Sequence, residues 1–194
     1  MKKSAIVLLG LAVVLGGCAN KVQYGDANSA ETTTVDFGST DLQKIANEMV
    51  DSMLASGSVA AINGRPIVFV DSIKNKTSEH IDTESITDSV STKLLNSGKF
   101  RFVDMDKVET VRKNLNFQNN DELVDQSSAV KFGQMLGAQY MLYGNLSSIV
   151  KSAGSDTDVY YKMTMRLMDL KTGLIEWADE TEIRKQESKS FFGM

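Results

Sequence analysis

The sequence predicts an α/β (α+β) domain built on a single mixed β-sheet of about four to five strands flanked by helices, and three observations carry that prediction. Ile67-Val68-Phe69-Val70 is apolar at every position, as a central strand buried on both faces requires. Tyr161, Met163, Met165 and Leu167 alternate with Lys162, Thr164 and Arg166, the period of a half-buried antiparallel strand. Around these runs, apolar residues recur at helical spacing, giving the order helix, strand, helix, strand, two helices, three-strand meander. That order predicts helices mainly on one face of the sheet.

The first eighteen residues decide where the rest works. Lys2 and Lys3 precede an apolar run from Ala5 to Leu15 that is interrupted by Gly10, too short for a membrane span and shaped like a secretory signal. The run meets the one cysteine of the chain at Leu15-Gly16-Gly17-Cys18, which resembles a bacterial lipobox. An unpaired cysteine in an exported protein is unusual, which favours cleavage before Cys18 and lipidation of its thiol over an incidental cysteine. The expected organisation is a signal peptide over residues 1–17, a lipidated Cys18 with a flexible tether over 18–40, and a globular domain over 41–194. Ala19, rather than aspartate, behind the lipidated residue implies release to the outer membrane in a Gram-negative cell.

The tether is rich in Asn, Thr, Ser and Gly, with neither a helical nor an alternating pattern. Its roughly 21 residues reach about 70 Å at full extension. Thr40-Asp41 then opens a helix whose Leu42, Ile45, Ala46, Met49, Val50, Met53 and Leu54 form one stripe, with Gly57 as its stop. Asn63-Gly64-Arg65-Pro66 turns into the strand Ile67–Val70, and a polar loop is expected from Lys74 to His80. Asp82 or Thr83 caps a second helix lined by Ile86, Val90 and Leu94 and closed by Gly98. Phe100 to Val103 is a short strand.

A third helix from Asp106 carries Val108, Val111 and Leu115, and Asn116 to Glu122 is too polar to bury. Ser127 and Ser128 cap a fourth helix with Val130, Phe132, Met135 and Leu136, closed by Gly137. The strand Tyr140–Leu146 follows, then a turn near Gly154, the alternating strand, a hairpin turn over Asp169–Gly173, and a return strand with Ile175 and Trp177 available to the core.

The chemistry is quiet. Of 194 residues, 42% are hydrophobic and 24% charged, and the net charge is −4, a balance that disfavours nucleic acid and anionic lipid surfaces as partners. One histidine, His80, and one lipidated cysteine leave no cysteine-based metal site and argue against a histidine-based one; no phosphate-cradling glycine loop occurs in the mature chain. Neither a metal nor any other cofactor is expected. Ser128-Ala129-Val130-Lys131, Ser155-Asp156-Thr157 and Lys171-Thr172-Gly173 resemble the motif order of penicillin-reactive serine enzymes. The third motif falls on a predicted turn, and the spacing leaves no room for the helical subdomain such enzymes carry, so the chain reads as a non-enzyme.

Four segments then carry a resemblance to a known family. Val68-Phe69-Val70-Asp71-Ser72 with Asn75-Lys76-Thr77, Leu94–Phe100, Gly137-Ala138-Gln139-Tyr140-Met141-Leu142-Tyr143, and Leu170–Trp177, in this order behind a lipobox, look like the LpoB family. Its members are outer-membrane lipoprotein activators of class A penicillin-binding proteins. Parts of the pattern are shared by the TolB amino-terminal domain, whose fold is therefore expected, and by the curli-channel lipoprotein. The resemblance implies a monomeric, lipid-anchored protein that faces the periplasm, docks on a regulatory domain of the synthase, and stimulates glycan polymerisation and cross-linking. The alternative it leaves is a structural subunit of an outer-membrane secretion or flagellar assembly. It also implies a docking surface around Tyr143 and the preceding helix, with Gln134, Ser128, Asn75 and Thr77 as further partner-binding candidates. One departure stands out: the tether is short and lacks the proline that would hold it extended.

Overall fold

A computed structural model of the chain describes residues 26, 27, 29, 31, 34–114 and 126–188. Cys18, the signal segment, Leu115, the polar stretch Asn116–Glu122 and Phe191-Phe192 lie outside the described residues.

The first helix among the described residues is α1 (Ser39–Ala55), which buries Ile45, Ala46, Met49, Val50 and Met53 as the stripe predicts. Its expected stop at Gly57 comes one residue earlier: Ser56 leaves helical geometry with ψ 130°, and Gly57 instead begins the short α2 (Gly57–Ala61). β1 (Ile67–Val70) follows. α3 (Thr83–Asn96) is capped by Asp82, whose Oδ1 accepts the Glu84 and Ser85 amides at 3.1 and 3.2 Å. Gly98 ends this segment at φ 74°, where a side chain would be strained. β3 (Arg101–Phe102), α4 (Met105–Asn114) and α5 (Gln126–Leu136) come next. Because α5 starts at Gln126, Ser127 and Ser128 lie in its first turn and not at its cap.

Three long strands complete the fold, β4 (Tyr140–Ala153), β5 (Asp156–Asp169) and β6 (Ile175–Ser188). β3, β1 and β4 run parallel; β4, β5 and β6 form an antiparallel meander. The expected loop from Lys74 begins as a sixth strand, β2 (Lys74–Lys76), which continues β1 alongside β4. Val70 stands opposite Leu142 and Lys74 opposite Asn145, so Asp71, Ser72 and Ile73 face only Tyr143 and Gly144. This one-residue excess is a bulge at the centre of the sheet.

The prediction that β1 is buried on both faces holds: Val68 and Val70 join the cluster under α1 and α3, and Phe69 joins a second cluster under α4 and α5. The helices therefore do not sit mainly on one face as expected. They divide, because strand order places β1 inside the sheet, between β3 and β4, where both of its faces need cover. The first cluster unites Met49, Leu94, Leu142, Tyr161, Met163 and Trp177, and the second unites Phe69, Val111, Phe132, Met141 and Met168. Burying side chains of this size contributes roughly 1.5–3 kcal/mol each. Trp177 reaches the core, but Ile175 does not. A register shift beside Leu167 and Met168 pairs Ile175 with Met168 and turns it outward, leaving it 45% exposed.

Candidate functional site

Alternation along β4 sends Leu142 and Leu146 to the first cluster and Met141 and Tyr143 to the opposite face. Tyr143 is half-buried against the second cluster, whose Ala129 and Phe132 come from α5. Its cross-strand neighbour is Arg166. Next to it, Gly144 permits close packing of β4 on β5, since a Cβ there would strike the Thr164 carbonyl oxygen. Beyond Tyr143, no helix among the described residues packs over this face of the meander. Asn145 and Ser147, then Lys162, Thr164 and Arg166, then Glu180 and Glu182 line it, and Lys162 pairs with Glu180 at 2.5 Å.

Under the helical side of this surface lies a buried ion pair. Arg112 of α4 donates to Asp71 Oδ1 at 2.5 Å, and its guanidinium lies 5.6 Å from the Phe132 ring centre. Asp71 sits in the β1–β2 bulge opposite Tyr143, so one contact joins the bulge, α4 and, through Phe132, α5. The stripe Val108, Val111 identifies α4 as a helix but says nothing of where Arg112 points, and this pair was not legible in the sequence. Arg166 was visible only as one polar member of the alternation.

The other expected partner-binding residues divide between two places. Ser128 is half-buried in the first turn of α5, and Gln134 is exposed near its end, so both share a layer with Tyr143. Gln134 borders a cavity of about 290 Å³ with Val130, Gln139, Tyr140, Leu170 and Lys171. Burial first, then the Asp169 and Glu176 carboxylates, push the Tyr140 hydroxyl above the ordinary tyrosine range. Asn75 and Thr77 lie elsewhere. Asn75 pairs with Leu146, which places it toward the opposite side of the sheet from Tyr143. Its amide donates to the Glu79 carbonyl at 2.8 Å, and its Oδ1 accepts from the Thr77 amide and hydroxyl at 2.9 and 2.7 Å. These two residues staple their own loop.

No penicillin-reactive cleft is assembled. Ser155 lies in the β4–β5 turn and Lys171 in the β5–β6 turn, at opposite ends of the 14-residue β5, about 44 Å apart along the strand. Asp169 Oδ1 instead binds the Lys171 and Thr172 amides at 2.6 and 3.0 Å as the clasp of a tight turn. His80 borders a groove with Ser72 and Asp82, yet Asp82 is engaged as the α3 cap, and no hydrogen bond joins His80 to either among the described residues. Among the same residues, no His, Cys, Asp and Glu cluster has the makings of a metal site, and no helix is long and apolar enough to cross a membrane.

Comparison with known proteins gives this geometry its context. The chain is 31% identical over 120 residues to the penicillin-binding protein activator LpoB of Dickeya dadantii, covering 62% of this chain and 57% of that protein. It is 28% identical over 138 residues to the protein of that name from Salmonella typhimurium, covering 71% and 60%. The chain thus spans less than two thirds of the length of these relatives. The fold matches that of the LpoB carboxy-terminal domain from Escherichia coli with a TM-score of 0.58 at 24% identity, over 74% of this chain and 98% of that one. The family model described as peptidoglycan-synthase activator LpoB matches residues 41–183, from the first buried residue of α1 to the last core residue of β6, and the chain belongs to that family.

Proposed function

We propose that this protein is an outer-membrane lipoprotein, anchored through Cys18 and facing the periplasm, that docks as a monomer on a class A penicillin-binding protein and stimulates its synthesis of peptidoglycan. The observation that carries this reading is the match of nearly the whole domain to a family of peptidoglycan-synthase activators. The domain catalyses nothing on this reading; it binds the active state of the synthase more tightly than the resting state and shifts the population toward it. Tyr143 and α5 supply the docking surface. An aromatic residue half-sunk in a rigid sheet, flanked by an arginine, presents a pre-ordered anchor of the kind that dominates protein interfaces. Ser128 and Gln134 extend it along the helix. Asn75 and Thr77 contribute from the other side of the sheet only if the partner wraps around the bulge. The family match supports this reading over a ring-forming subunit of a secretion or flagellar assembly.

The test is glycan polymerisation by each class A synthase of the source organism, with and without the chain lacking residues 1–18. A several-fold acceleration by one synthase, lost in a folded Tyr143→Ala variant, is the expected result. No acceleration of any synthase would overturn the proposal.

A further inference from the structure

The residues just before α1 do not leave the domain freely. Tyr161 of β5, fully buried as a side chain, directs its hydroxyl to the Val35 carbonyl at 3.0 Å and to a Glu79 carboxylate oxygen. The other Glu79 oxygen accepts the Phe37 amide at 3.0 Å, and the Phe37 ring meets the Tyr161 ring edge-on at 5.5 Å. Lys185 of β6 donates to the Asp36 carbonyl and to Asp41, both at 2.6 Å. Further out, the Glu31 carboxylate accepts the Thr40 amide and the Ser39 hydroxyl at 3.2 and 2.9 Å, against the side of Gly38 where a Cβ would collide with it. Hydrogen bonds from Ser39 hold the Glu31 carboxyl below the ordinary carboxylate range, helped by the Thr40 amide. Gln43 reaches back to the Ala27 carbonyl at 3.1 Å. Four elements, the β2–α3 loop, β5, β6 and α1, thus contribute to holding one short strap.

We infer that this strap is a clasp that fixes where the amino-terminal tether leaves the domain, so that the domain stands end-on from its membrane anchor. The clasp grips the half of the meander nearer the β4–β5 turn: Tyr161 lies five residues from the start of β5 and eight from its end, and Lys185 pairs with Val159. Tyr161 pairs with Ser148, whereas Tyr143 pairs with Arg166, five residues or about 17 Å further along the strand. Asp169 and the cavity beside Gln134 lie about 27 Å from Tyr161. The docking surface therefore points away from the anchored membrane. Only about seven residues separate Cys18 from Asp26, about 25 Å even at full extension. With so few residues between the anchor and the clasp, an end-on stance supplies reach that the tether lacks. The orientation rests on the proposed anchoring at Cys18; the clasp does not.

Hydrogen exchange on the chain starting at Cys18 tests the clasp. The Phe37 amide is expected to exchange at least tenfold slower than in an unstructured peptide, and to lose that protection in Glu79→Ala while the Val68 and Val70 amides stay protected. Exchange of Phe37 at the unstructured rate in the wild-type chain would overturn the inference. Should Glu79→Ala not fold, Tyr161→Phe replaces it, with partial loss expected. The stance is read by coupling Cys18 to a maleimide lipid in phosphatidylcholine vesicles and measuring energy transfer to a membrane dye from a label on an azido residue at 155 or 171. Stronger transfer from 155 than from 171, converging when Glu79 is replaced, is expected; equal transfer in the wild-type chain overturns it. Because the anchor is imposed chemically, neither result depends on whether the chain activates a synthase.

Discussion

Asp71 and Arg112 meet in a 2.5 Å ion pair, both largely buried, that ties the central bulge of the sheet to α4. Forty-one positions apart in the sequence, they are the polar centre of an otherwise apolar layer under the proposed docking surface. Glu109 adds a looser contact to the Arg112 Nε at 3.6 Å.

Removing one partner leaves the other charge buried and unpaired. Asp71→Ala or Arg112→Ala is therefore expected to cost about 3–5 kcal/mol, whereas replacing both with apolar residues of similar volume costs far less. Urea denaturation of the two single variants and the double Asp71→Leu, Arg112→Met variant checks this; a double variant as unstable as the singles would contradict it.

Gly144 is required by contact, since its extended backbone lies against the Thr164 carbonyl and the Met165 side chain. Gly144→Ala must push β4 from β5 and is expected to destabilise by about 1–3 kcal/mol, like other overpacked interiors. Gly57→Ala, which meets nothing within 4 Å, is the control and should leave the unfolding midpoint unmoved or raised.

The Tyr161 hydroxyl is pushed far above the tyrosine range, first by burial and then by its hydrogen bond to Glu79. The folded state thus holds a proton that the unfolded chain gives up near pH 10. Its contribution is whole below pH 10 and is lost as pH rises from there toward the folded value. Wild-type stability should fall more steeply than that of Tyr161→Phe between about pH 9.5 and 11.5, as urea midpoints followed by circular dichroism will report.

Arg166 stands beside Tyr143 on the open sheet face and is half-buried. Arg166→Ala is expected to lower activation of the synthase several-fold, with an unfolding free energy within about 1 kcal/mol of wild type. Asn75→Ala is expected to do the reverse, loosening its loop with little direct effect on activation. Titrating each variant against the responsive synthase separates the two.

Local periodicity made most elements legible. The stripe of α1, the wholly apolar β1 and the alternation of β5 each depend on which side of one element meets the core, and that is written in consecutive residues. Glycines at 98, 137 and 173 marked chain reversals because positive φ angles there favour a residue without a side chain. The division of helices between two faces was not legible, because it follows from strand order. β2 was missed because three polar residues carry no alternation, and only β4 alongside makes them a strand.

By itself the sequence determined most of the elements, the segment resembling a lipoprotein leader, and the four segments through which family membership could be recognised. All of these are properties of neighbouring residues or of their composition. Tertiary structure alone decided that Asp71 finds Arg112, that Asn75 staples its own loop on the side away from Tyr143, and that Val35 is held by Tyr161, 126 positions away. Those contacts depend on how whole elements stack and on a one-residue bulge that resets the register. No local pattern encodes such a distance, because its energy appears only once the layers have closed.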